Sequence, residues 1–100
     1  MATNKGTENN IIKLTEVTEQ DLAEAMVHKY GDKYSQDGKR LIKGPCHTSH
    51  YNIKEGTEII CKKAFFRRHS LTSINIPPSV TTIGHSAFSY EKEMSLFQIV

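Results

Sequence analysis

The stretch Ser70–Phe88, SLTSINIPPSVTTIGHSAF, decides the fold, because its apolar frame recurs 23 residues away. Ile53 and Ile76 are 76 − 53 = 23 residues apart, and Ile60 with Ile83, Ala64 with Ala87 and Phe65 with Phe88 keep that spacing. Softer matches hold the same register: Tyr51 with Ile74, Thr57 with Val80, Cys61 with Gly84 and Leu71 with Met94. One further step pairs Ile74 with Phe97 and Ile76 with Ile99, so MSLFQIV (94–100) reads as the opening strand of a third unit. Chance supplies one or two such coincidences; it rarely supplies a whole set in one register.

Each unit has a physical logic. Ile74 and Ile76 alternate and so share one face of a strand. Pro77 and Pro78 remove two backbone donors and end it. Val80 and Ile83 are expected to point inward, Gly84 to turn a tight corner, Ala87 to admit close backbone approach and Phe88 to fill the space between turns. A single unit cannot bury its apolar face, whereas stacked units share one core, and repeats of this length and spacing belong to the leucine-rich class. The expected fold is therefore α+β: a short leucine-rich-repeat solenoid, β-rich with parallel strands, preceded by an N-terminal amphipathic helix and a β-hairpin.

Working outward, residues 1–10 read as a mobile tail, 11–47 as a helix-and-hairpin cap, and 48–100 as two repeats plus a terminal strand. Thr18 opens the helical stretch TEQDLAEAMVHKYG as an N-cap, Glu19 and Asp21 suit its first turn, and Gly31 supplies a left-handed stop. Leu22, Met26 and Tyr30 at i, i+4 and i+8 predict one apolar face, expected to cover the open end of the repeats. Asp37-Gly38 between Tyr34 and Leu41-Ile42 is a hairpin signal.

At this point the chain resembles a known family. SLTSINIPPSVTTIGHSAF looks like the 23-residue repeat of BspA-like leucine-rich-repeat proteins. YNIKEGTEIICKKAF (51–65) is similar to a degenerate copy with Cys61 where glycine is usual, and YSQDGKRLIKGP (34–45) resembles the segment that precedes the first repeat. The resemblance implies a curved solenoid with parallel strands, on secreted or surface proteins with adhesive or protein-binding roles. This chain departs from the pattern in carrying two repeats plus a strand, where members carry many. Its polar start, MATNKGTENN, also lacks the apolar stretch of an export signal.

Composition narrows the functional classes. Hydrophobic residues make up 37%, or 43% with the six glycines, which suits a thin core. A net charge of +2 is too mild to nominate nucleic acid, and two cysteines make no disulfide framework. The cluster Cys46-His47-Thr48-Ser49-His50, with Cys61, His69 and His85 elsewhere, lacks the second half of a zinc motif. No nucleophile–base pair, carboxylate pair or phosphate loop stands out. The expectation is no catalysis, no metal and no cofactor.

What remains is the strand face. If Ile53, Ile74 and Ile76 point in, then Asn52, Ser73, Asn75 and Gln98 point out, as a ladder with free hydrogen-bonding capacity for a protein or glycan ligand. The alternatives are a basic module contacting nucleic acid through Lys62, Lys63, Arg67, Arg68 and His69 around Phe66, or a fragment of a larger surface adhesin. The apolar terminus Met94, Leu96, Phe97, Ile99 and Val100 is an edge that could pair with a second copy.

Overall fold

The 23-residue register of the sequence is also the register of the backbone hydrogen bonds. The computed structural model describes residues 14–88 and the backbone of 96–99. Among the described residues Leu14 and Thr15 are helical, and the helix α1 (Glu19–Glu24) is followed by β1 (Met26–Val27), β2 (Lys33–Tyr34), β3 (Arg40–Lys43), β4 (His50–Asn52), β5 (Ile59–Ile60), β6 (Ser73–Ile76), β7 (Thr82–Ile83) and β8 (Leu96–Ile99). Two sheets result, ordered β1-β2-β3-β5-β7 and β4-β6-β8. In the smaller sheet β4 pairs with β6 and β6 with β8, all parallel, with Tyr51 beside Ile74 and Ile74 beside Phe97. In the larger, β5 pairs parallel with β7, Ile60 beside Ile83.

The core lies between the two sheets. Leu41 and Ile60 from one meet Tyr51, Ile74 and Ile76 from the other, with Ile53, Ala64, Phe65, Leu71 and Ala87 closing the corners. Phe65 is fully buried and stacks on Phe88 with ring centroids 5.0 Å apart. The corners repeat as faithfully as the strands: Lys63 and Ser86, 23 residues apart, both take φ of 58°. Gly84 does not turn the corner its position suggested. Its φ is not positive, and a Cβ there would sit 2.5 Å from the backbone nitrogen of Lys62. Glycine is required because successive repeats approach closely.

The helix of residues 18–31 is corrected. Thr18 caps it as a capping box with Asp21, but Ala25 is extended and the helix stops at Glu24. Met26 and Val27 instead form β1, antiparallel to β2. Gly31, at φ 79°, serves the turn between them, where the amide of His28 donates to the carbonyl of Asp32 at 2.8 Å. A helix of two turns has little stability of its own, so sheet pairing overrides its propensity. The apolar stripe is correspondingly unused: Leu22, Met26 and Tyr30 are all exposed and no residue of α1 is buried.

What packs beside the larger sheet are the residues flanking the helix. Val17 and Ala25 rest on Ile42, Ile59 and Cys61. Arg40 fastens this segment, donating to the carbonyls of Leu14 (2.9 Å) and Glu16 (2.7 Å) and to Asp21 at 3.1 Å. The amide of Lys62 donates to the carbonyl of Thr15 at 2.7 Å.

β2 and β3 are antiparallel across Ser35–Lys39, where Gly38 has φ 76°. β3 then pairs parallel with β5, Leu41 beside Ile60, an offset of 60 − 41 = 19 residues. The antiparallel arms are thus one continuous sheet with the repeats. The expected tail (1–10) and the side chains of Met94, Leu96, Phe97, Ile99 and Val100 lie outside the described residues.

Candidate binding face

The smaller sheet turns one face to the core and one to solvent. Along β6 the alternation is strict: Ile74 and Ile76 are buried, Ser73 and Asn75 partly exposed. On β4, Tyr51 is buried between exposed His50 and Asn52. Parallel pairing at 23 residues places like positions side by side, so the outward residues form rungs. Asn75 Nδ2 donates to Asn52 Oδ1 in one rung. His50 Nδ1 and Ser73 Oγ share a hydrogen bond of 2.5 Å in the next.

The expected site residues Asn52, Ser73 and Asn75 therefore share one face. Gln98 continues the rung in backbone register beside Asn75, its side chain lying outside the described residues. The ladder is not free, however. Each described rung is partly satisfied within itself, which holds the side chains in one orientation while an asparagine amide keeps further donor and acceptor capacity. His50 belongs to this face and was missed by the sequence reading. The same 23-residue step, from Ser73 back to 50, was the signal that could have found it.

The cysteine and histidine candidates are dispersed. Cys46 is exposed, Cys61 is buried, and neither is in a disulfide. Cys61 lies against the backbone of Leu14, and burial pushes its thiol above the ordinary value. No group of three metal-ligating side chains gathers among the described residues. Cys46, His47 and His69 line one cleft of about 280 Å³, together with Arg67, Arg68 and Thr48, without gathering as a ligand set. Phe66, the candidate stacking platform for nucleic acid, already faces cations: Lys63 Nζ lies 5.1 Å and Arg67 Cζ 5.4 Å from its ring centre.

A second cluster escaped the sequence reading. Tyr51 donates to buried Asp32 at 2.5 Å, and its hydroxyl lies 2.6 Å from that of Tyr34. The Tyr34 oxygen also accepts from the amide of Lys54 at 3.2 Å. Burial pushes both phenols above their ordinary value, most strongly Tyr51, which is further raised by its bonds to Asp32 and Tyr34. The cluster joins the segment before the repeats to the first strand of the smaller sheet; it is a structural tie rather than an open site.

No helix among the described residues is long and apolar enough to cross a membrane. No curated protein and no solved structure matches the chain. The family described as a BspA type leucine-rich repeat region (six copies) does match, over residues 38–99. That family is generally one of non-enzymatic interaction modules, typically secreted or at the cell surface. With a match across more than half its length, carried by the same repeats that pair its strands, the chain belongs to the BspA-type leucine-rich-repeat family.

Proposed function

We propose that the chain is a protein-interaction module whose stacked repeats are turns of a short solenoid, and that it binds its partner on the outer face of β4-β6-β8. The observation that carries this is the ladder: His50 with Ser73 and Asn52 with Asn75, held in fixed rungs on an exposed parallel sheet. Such a face costs a partner little in ordering entropy, because its side chains are already oriented. It offers hydrogen bonds at the strand spacing of roughly 4.8 Å, a period that an extended peptide or a row of side chains can match. The family supports an interaction role, and the ladder is what favours this face for it.

Site-specific photocrosslinking tests it. A photoreactive side chain at Asn52 on the ladder, or at Thr81 before β7 on the other sheet, is exposed to extracellular protein fractions. A discrete adduct from position 52 only, lost when Asn75→Lys is added, is the expected result. Adducts that form equally from Thr81, or that persist in the Asn75→Lys protein, would move the binding surface elsewhere.

A further inference from the structure

The cleft beside Cys46 is built from the same corner of two successive repeats. Residues 45–48 and 68–71 are related by the 23-residue step, Cys46 corresponding to His69 and Thr48 to Leu71. Both corners lead directly into the strands of the smaller sheet, β4 and β6. Between them lies about 280 Å³, near the lower end of ligand pockets, which run roughly from 300 to 1,000 Å³. Buried Leu71 and Pro45 give it an apolar floor. Four of its nine lining residues are basic: Arg67, Arg68, His47 and His69.

Two features make this more than a scatter of surface cations. Arg67 and His47 both hold left-handed backbone, at φ 60° and 55°, a conformation that non-glycine residues adopt at a cost and that collects at binding sites. Arg68 reaches back toward residues 45–48, its Nε donating to the carbonyl of Gly44 at 3.4 Å. Positive charge is also crowded behind it: Lys43 is held below the ordinary lysine range, first by burial and then by repulsion from Arg68, Lys33 and Lys63. Bringing an anion to this corner relieves that repulsion.

We propose that the cleft between residues 45–48 and 67–71 is a binding site for a sugar-sized oxyanion, with the Arg67 and Arg68 guanidiniums holding its carboxylate, sulfate or phosphate group. Guanidinium suits this work because its planar fork donates two parallel hydrogen bonds to two oxygens of one oxyanion. The apolar floor takes the face of a small ring. The site does not use the strand ladder, so it stands whether or not that face binds protein.

The test is titration calorimetry at constant ionic strength with glucuronate, glucose 6-sulfate, glucose 6-phosphate and uncharged glucose, paired with amide shift mapping. The expected result is binding of the charged sugars but not glucose, with shifts confined to 45–48 and 67–71; the strongest of the three identifies the oxyanion. Arg67→Gln with Arg68→Gln should weaken binding about tenfold or more. Lys29→Gln with Lys39→Gln, which removes equal charge away from the cleft, should leave it nearly unchanged. Should the arginine pair fail to fold, shift mapping on the unaltered protein decides. Equal binding of glucose, shifts elsewhere, equal loss in the distant lysine pair, or no millimolar binding would each overturn the proposal. So would much tighter binding of a short single-stranded oligonucleotide with shifts spreading over Lys62 and Lys63, which would mark an extended polyanion surface instead.

Discussion

Ile60 and Ile83 occupy the same place in two successive repeats, pair with each other across β5 and β7, and differ completely in burial: Ile60 is 0% exposed and Ile83 is 51%. Phe65 and Phe88 show the same gradient more gently, the first fully buried and the second packed at the margin of the core. The residues are the same, and so is their register. What differs is the neighbour: β5 lies between β3 and β7, whereas β7 is the edge of its sheet among the described residues. In a stacked architecture a position is not intrinsically core; the next layer makes it so.

The largest expected effect tests that lesson directly. Ile60→Ala removes a fully enclosed side chain and should destabilise the protein by about 2–5 kcal/mol, the usual range for such truncations. Ile83→Ala should cost well under half as much, because the exposed side chain has less transfer energy to lose. Urea unfolding of both variants checks the pair. Similar losses would break the comparison and show that Ile83 is covered in solution by something outside the described residues.

The repeats also differ in polarity, and here the first is the odd one. Tyr51 and Thr57 stand where the second repeat has Ile74 and Val80. Tyr51 has a purpose, since its hydroxyl bonds Asp32 and Tyr34. Tyr51→Ile, which copies the second repeat, should therefore destabilise by about 1–3 kcal/mol by stripping a partner from a buried carboxylate. The same phenol sets a pH dependence. Its ordinary value is 10.0 and the fold raises it, so the unfolded chain ionises first. Stability is intact below pH 10 and falls as pH climbs above it. Thermal melts from pH 8 upward should show this decline in the parent protein and a shallower one in Tyr51→Ile.

Thr57 has no such purpose. It is 0% exposed, and its hydroxyl finds no partner among the described residues. Thr57→Val, the second repeat's own choice, should stabilise by about 1 kcal/mol by removing an unsatisfied buried hydroxyl at little change in volume. Loss of stability in the urea curve would mean that the hydroxyl has a partner not described.

These contrasts explain what was legible in the sequence. The repeat was legible because a 23-residue step fixes strand register and burial together, and apolar identity reports both at once. The polar rungs of the candidate face followed from that same alternation. The end of α1 was not legible: TEQDLAEAMVHKYG has helical periodicity throughout, and only pairing of Met26-Val27 with Lys33-Tyr34 shows why it unwinds after Glu24. Nor was the tie of Asp32, Tyr34 and Tyr51, whose members are nonconsecutive and share no spacing with the repeat. The cleft of Arg67 and Arg68 was half legible, since its basic residues stood out as a run while their meeting with residues 45–48 needed the stacking.

The smallest effect concerns the flank that the repeats do not supply. β3 meets a second repeat-like strand on one side, but its other surroundings include a non-repeat segment fastened by Arg40. Asp21 is the acidic partner in that fastening and also accepts from the amide of Thr18 at 3.0 Å. Partial burial works to raise its carboxyl, but the hydrogen bonds from Thr18 and Arg40 outweigh it and hold the group below the ordinary value of 3.8. The stabilisation is therefore present above that value and disappears as pH falls through the folded one. Asp21→Asn should cost about 1 kcal/mol at neutral pH, the scale of a lost cap with a partly exposed ion pair. The cost should vanish in acid, where the parent carboxyl is itself neutral. A cost that stays constant down to pH 2 would assign the loss to helix geometry rather than charge, and would leave the carbonyl bonds of Arg40 as what holds this segment beside the repeats.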